Sequence, residues 1–270
     1  MHVKFLGAAA VVALSSLTVS AALAGPITTS GTVDGGYSYV DANGGGGHAN
    51  DWNINGAVVV PVTPNLAVQA NGGYNYLQGS GDHQDAGNGV ASLIYNDHWG
   101  RVGASVGYAQ LTEDGLRADA TNYGVFGDWY ADDRITLSAR GGGLSGSLHG
   151  FGARANYSGA YYVGGQAVAY ALPDLGFTGT IDYVNLGSRG INFRTTDYGV
   201  GVEYLLSKDV PVSVGAGYTY TDENFAGDSF NTNTFSLRVK YYFGAHGSLV
   251  DHQRTGSENW GASAPIQNLF

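Results

Sequence analysis

Apolar and polar side chains alternate one for one along most of this chain. In "FSLRVKYYFG", Phe235, Leu237, Val239, Tyr241 and Phe243 fall on one side, and Ser236, Arg238, Lys240 and Tyr242 on the other. A period of two marks a β-strand whose two faces meet different surroundings. The pattern recurs upstream. "LAVQANGGYNYL" sets Leu66, Val68, Ala70, Tyr74 and Tyr76 against Gln69, Asn71 and Asn75, and "YGVGVEYL" sets Tyr198, Val200, Val202 and Tyr204 against Gly199, Gly201 and Glu203. Twelve such runs are predicted, over 30–40, 51–60, 66–77, 89–96, 101–111, 121–130, 134–143, 158–171, 177–186, 196–206, 211–221 and 234–243. In the fourth and eighth runs both faces are partly apolar, and the phase stays open.

The connections between runs alternate in length. "PVTPN", "DHWG", "ADD", "PDLG" and "SKDV" are short; "DANGGGGHAN", "QGSGDHQDAGN", "TEDGLRADA", "LSGSLHGFGARANY", "GSRGINFRT" and "DENFAGDSFNTN" are long. Strict alternation predicts a meander of antiparallel hairpins, with tight turns at one end and long loops at the other. A secreted β-sandwich or soluble β-solenoid would also give alternating strands. Its connections would not sort so cleanly by length, and its solvent face would carry more Lys and Glu. Here the polar face is Gly, Ser, Thr and Asn.

The chain opens on Met1–Lys4, with one cation, and then "FLGAAAVVALSSLTVSAALA". Ala22-Leu23-Ala24 is a small-x-small cleavage site, so residues 1–24 read as a secretory signal peptide and the mature chain is expected to start at Gly25. The stretch is too short and too rich in Ala and Ser for a spanning helix, which needs about 20 strongly apolar residues. Composition then narrows the class. Gly is 44 of 270 residues, Tyr 19, Pro 6 and Cys 0, and charged residues are only 13%. Disordered chains lack such aromatic content. Export, low charge and abundant Gly and Tyr point to an all-β protein whose outer surface meets something other than water. Without its leader the chain has 22 acidic and 11 basic side chains, net −11, which argues against nucleic acid as a partner.

With these features the chain resembles the Gram-negative outer-membrane β-barrels, from about Ser30 to Phe243. The fold so implied is all-β: a transmembrane antiparallel up-and-down barrel of about 12 strands, with 10 or 14 as alternatives, over residues 25–243. Tyr37, Tyr39, Tyr74, Tyr76, Tyr108, Tyr183, Tyr198 and Tyr218 lie towards the long-loop ends of their runs; Trp99, Trp129, Tyr204, Tyr241 and Phe243 lie towards the short turns. Two aromatic rows fit two membrane interfaces. The final run resembles the closing-strand signal of such barrels, which usually end on its last aromatic. This chain departs by continuing through residues 244–270, which read as a polar C-terminal tail without strand period. Similar tails follow the last strand in porin-like proteins of alphaproteobacteria. The resemblance implies location in the cell outer membrane, with outer-membrane lipid, lipopolysaccharide and the barrel-assembly machinery as partners, and small solutes or ions as cargo.

Inside such a barrel the candidate pore-lining residues are Arg140, Asp182, Glu203, Arg238 and Lys240, together with Arg101 and Asp128. Hydrated, these charges line an aqueous path; paired, they cross-link a closed barrel. The acidic long loops predict a weak cation preference, which the lumen Arg and Lys oppose. No catalytic, metal or cofactor site is expected. His48, His83 and His149 sit in different loops, and Asp51 and Asp85 near two of them make no metal-site spacing. "DENFAGDSF" lacks the spacing of a calcium loop, Asp132 and Asp133 read as turn residues, and "GGGG" as loop. No predicted run contains a His to activate a serine. The function expected is a porin-like channel for small hydrophilic solutes; the alternative is a structural or surface-interaction barrel without an open pore.

Overall fold

The computed structural model describes residues 29–43, 47–79, 83–113, 115–150, 153–188, 191–207, 209–225, 228–244 and 247–256; the leader at 1–24 lies outside the described residues. Twelve strands follow in order: β1 (Ser30–Ala42), β2 (Gly47–Pro61), β3 (Leu66–Gln78), β4 (His83–Asp97), β5 (Gly100–Glu113), β6 (Leu116–Asp132), β7 (Ile135–Gly150), β8 (Ala153–Leu172), β9 (Leu175–Ser188), β10 (Ile191–Leu205), β11 (Val212–Phe225) and β12 (Asp228–Phe243). Each pairs antiparallel with its chain neighbours, and β12 pairs with β1 to close the barrel. A short helix, α1 (Leu249–Thr255), follows the last strand. Among the described residues, no helix is long and apolar enough to cross a membrane.

The strands run further than their alternation. Residues expected as long loops continue the hairpins, leaving connections of only two residues between β5 and β6, β7 and β8, β9 and β10, and β11 and β12. Alternation stops where neither face meets lipid, but ladder hydrogen bonds need no apolar side chain to continue. His48, His83 and His149 therefore lie on β2, β4 and β7, contrary to the expectation that no strand holds a histidine.

The outer face carries the apolar set. Val102, Val106, Val163, Val200, Leu237 and Val239 are exposed around the wall, between Trp99, Trp129, Tyr204 and Tyr241 at one end and Tyr39, Tyr74, Tyr108 and Tyr198 at the other. Four outward tyrosines share one geometry at the hairpin end. Tyr37, Tyr74, Tyr108 and Tyr218 donate to Asn50, Asp85, Asp119 and Asn233, each acceptor lying two residues beyond the tyrosine's register partner. Such diagonal pairs are within reach of long side chains. They hold the phenol hydroxyls where the apolar band ends.

The two runs of ambiguous phase resolve for a physical reason. In β4, Leu93 and Tyr95 face out, while Val90 and Ile94 are buried inside, Ile94 against Phe126. In β8, Tyr161 and Val163 face out, while Ala160 and Tyr162 join an inner cluster with Ala109, Ala120, Leu144 and Val184. Both faces of these strands are apolar because the barrel interior beside them is packed with side chains. A bulge lets β8 curve there: Leu144 pairs with Ala160 and Ser145 with Ser158, skipping Gly159, whose φ of 80° or so suits glycine. At the seam Phe243 pairs with Gly31 and its ring lies over the glycine; a Cβ at Gly31 would come within 2.0 Å of that ring.

Candidate functional site: the barrel lumen

The sequence-predicted lumen residues all point inward, and the structure brings them together as pairs. The Arg140 guanidinium reaches Asp182 Oδ1 by Nε at 2.9 Å and by Nη2 at 2.7 Å. Lys240 Nζ stands 3.3 Å from Glu203 Oε2, and the same carboxylate accepts from the Tyr242 hydroxyl at 2.7 Å and from Ser213. Arg101 is bonded to Asp128. Burial explains why the charges meet: a carboxylate or guanidinium withdrawn from water is tolerated only with a partner and further hydrogen bonds. Arg238 differs. Its Nε lies 3.5 Å from Asp34 Oδ1, and its side chain stays half exposed.

Between these pairs lies a cavity of about 280 Å³. Hydroxyls and amides line it, including Ser138, Gln166, Thr178, Thr180 and Ser236, and the inward positions of β10 and β11 contribute Gly199, Gly201, Gly215 and Gly217. Glycine at these positions keeps the space open, whereas nearer the hairpin ends of β5–β9 the interior is filled by the inner apolar cluster. A second polar strip runs along β1–β3, where Asn55 Nδ2 donates to Asp34 Oδ1 at 3.1 Å and Gln69 Nε2 to Asn71 Oδ1 at 2.7 Å.

At the end of the barrel where the chain enters and leaves, α1 lies across the mouth. Its N-terminus is capped by Ser248, whose Oγ accepts from Asp251 N at 3.3 Å while Asp251 Oδ2 accepts from Ser248 N at 2.8 Å. Leu249 is fully buried with Val168, Tyr170, Leu205 and Tyr242. The His252 ring stacks on Tyr242 at 4.3 Å, and Gln253 accepts from the Tyr170 hydroxyl. Arg254 bonds Asp132 O at 2.6 Å, Ile135 O at 3.1 Å and Thr136 Oγ1 at 3.2 Å, with its guanidinium over the Tyr130 ring at 4.8 Å. At the far end the Gly256 carbonyl accepts from Arg101 Nη1 at 3.3 Å. Gln253 faces the inner cavity; Ser248, Val250, Asp251, Arg254 and Thr255 face a vestibule of about 970 Å³. The helix thus partitions the two. Within the polar tail expected at 244–270, Leu249–Thr255 are helical and docked, while residues 257–270 lie outside the described residues. The sequence held one signal for the helix, the Ser248-x-x-Asp251 capping pattern.

The hairpin end divides its acids between the two faces. Asp85 and Asp119 face outward, bonded to Tyr74 and Tyr108, and Asp41 and Asp222 share the outward parity of their strands; Asp82 and Asp114 lie outside the described residues. Glu113, Glu223 and Asp228 share the inward parity of their strands, and burial, followed by the neighbouring Asp197 carboxylate, pushes the Glu223 carboxyl above the usual range. The histidines stand apart: His48 beside Tyr39, His83 beside Tyr76, and His149 Nε2 at 2.9 Å from Ser147 Oγ. Among the described residues, no group of three or more potential metal ligands comes together.

Residues 86–243 match the family described as "Outer membrane protein beta-barrel domain". No curated protein sequence matches significantly. Among solved structures, the COG4313 outer membrane channel from Pseudomonas putida F1 superposes with a TM-score of 0.57 at 14% identity, covering 82% of this chain and 97% of that one. The translocator domain of the autotransporter NalP from Neisseria meningitidis superposes with a TM-score of 0.50 at 12% identity, covering 87% and 95%. At these identities the likeness is one of fold.

Proposed function

The chain belongs to the outer-membrane β-barrel family and resides in the cell outer membrane, and from that premise we propose that it is a channel for passive diffusion of small hydrophilic solutes or ions. The observation that carries this reading is the cavity of about 280 Å³, kept open by inward glycines and lined by hydroxyl, amide and charged groups. A barrel with a purely structural role gains nothing from a polar, glycine-walled interior. Barrels near eight strands fill with side chains and those of 16–18 strands hold channels; this one packs an apolar cluster towards the hairpin ends of β5–β9 and leaves a cavity beside it, walled by residues of β5 to β12. Arg140, Asp182, Glu203, Arg238 and Lys240 line the path in this reading, and Arg101 and Asp128 support it. Transport is passive, not catalytic. The tail, docked as α1, narrows the periplasmic mouth, a feature this chain adds to the porin-like type with tails beyond the closing strand.

One observation favours a second reading, a structural or surface-interaction barrel: α1 lies across the mouth and buries Leu249 and His252. Planar-bilayer recording separates the two. The full chain is expected to give small, steady conductance steps, and a chain ending at Gly244 larger ones. Silence from both would leave the structural reading.

A further inference from the structure

The lumen charges differ in what they offer a passing solute. The Arg101, Arg140 and Lys240 side chains are 6%, 2% and 4% exposed, and each is closed off by a carboxylate. Their partners Asp128, Asp182 and Glu203 are 3%, 8% and 19% exposed. Asp197 also borders the cavity, but it is buried and engaged in interactions of its own. The Arg238 side chain is 51% exposed while Asp34, its one carboxylate partner among the described residues, is 11% exposed.

The cause is in the sequence. Arg238 pairs in register with Gly36 on β1 and Gly215 on β11, so neither register partner supplies a side chain to cover the guanidinium. Gly201 and Gly217 extend that bare floor. A charge pair buried at contact distance presents only a dipole to the cavity, whereas an exposed guanidinium with one loose partner presents nearly a full charge. Guanidinium also offers several donors in a planar fork suited to oxyanions. Ser236, Thr180, Thr219 and Gln166 border the same space and supply neutral hydrogen bonds.

We propose that Arg238 is the solute-binding residue of the lumen, and that the cavity around it takes small oxyanions, the carboxylate or phosphate of a hydroxylated solute. The inference rests on the channel reading for its transport meaning, but binding itself does not need conduction. It opposes the cation preference expected from the loop charges: Asp41, Asp85, Asp119 and Asp222 face outward, and Glu113, Glu223 and Asp228, which share the inward parity, lie at the hairpin ends of their strands, away from Arg238.

The test uses the full chain with inorganic phosphate as probe, read in two ways. In the first, the midpoint of barrel unfolding, followed as the heat-dependent gel shift, is compared in phosphate and in chloride at equal ionic strength. Phosphate should raise the midpoint of the native protein and of Arg238→Lys more than that of Arg238→Gln; general salt effects act on all three alike and cancel in the difference. Gly201→Leu keeps every charge but fills the floor, where an added Cβ meets no atom nearer than 3.4 Å. It should also lose the phosphate-specific rise, which keeps the test open if Arg238→Gln does not assemble. In the second, reversal potentials across a salt gradient should show anion preference in the native channel, falling several-fold in Arg238→Gln. A phosphate-specific rise without conductance supports the site and removes the channel reading. Conductance with no phosphate-specific rise and a selectivity indifferent to Arg238 overturns the site and leaves the channel.

Discussion

At the scale of single residues, the lumen pairs carry the sharpest consequence. Asp182 is buried against Arg140 with two hydrogen bonds. Asp182→Asn leaves the guanidinium without its counter-charge and should lower unfolding stability by roughly 3–5 kcal/mol, read from urea midpoints in lipid vesicles. A matching Arg140→Met/Asp182→Leu double variant should recover most of that loss, since apolar replacements need no partner. The outer face gives the opposite contrast. Val239 is lipid-facing and Lys240, its neighbour, points inward. Val239→Arg places a cation against hydrocarbon at a cost of about 2–4 kcal/mol near the midplane. Assembly yield should fall sharply for Val239→Arg and much less for Arg238→Val; equal yields would mean the faces of β12 are reversed.

At the scale of elements, α1 is the part that a barrel does not need. A helix of seven residues is not stable by itself in water. It persists through its cap, the burial of Leu249, the His252–Tyr242 stack and the Arg254 contacts. Arg254→Ala removes three hydrogen bonds and the stacking on Tyr130 together. The barrel should still assemble, with an unchanged gel shift, while the tail becomes open to proteolysis from the periplasmic side and conductance rises. Ser248→Ala should act in the same direction more weakly, since a lost N-cap costs about 0.5–2 kcal/mol. Cleavage rates of native, Ser248→Ala and Arg254→Ala proteins are expected to rise in that order.

At the scale of the whole molecule, closure between β1 and β12 satisfies the strand edges without water, which is what allows a sheet to stand in hydrocarbon. The seam depends on the close fit of Phe243 over Gly31. The mature protein should fractionate with outer membranes and run as a compact band unless heated. Gly31→Val, which forces the Phe243 ring off the seam, should reduce the compact form while leaving total protein unchanged. Normal amounts of compact protein in that variant would show that the ring does not guard the closure.

The amino-acid sequence by itself determined the number of strands, the phase of all but β4 and β8, and the sign of nearly every inward side chain. Each of these follows from a period of two read against lipid on one side, as in Phe235–Phe243, and such a period is local. It placed Arg140, Asp182, Glu203, Arg238 and Lys240 inside for the same reason. Strand length was not legible, because beyond Tyr108 or Tyr218 neither face meets lipid and the alternation fades while backbone pairing continues. The phases of β4 and β8 were hidden by an interior packed with Ile94, Phe126 and Tyr162. Two of the charge pairs could not be read either: Arg140 and Asp182, and Lys240 and Glu203, lie on strands that are not neighbours, and only closure and curvature bring them together, whereas Arg101 and Asp128 face each other in register on β5 and β6. The tail carried its cap, Ser248 and Asp251, but a capped heptapeptide folds only where a surface receives it. Val168, Tyr170, Leu205 and Tyr242, from three strands, make that surface only once the barrel has closed.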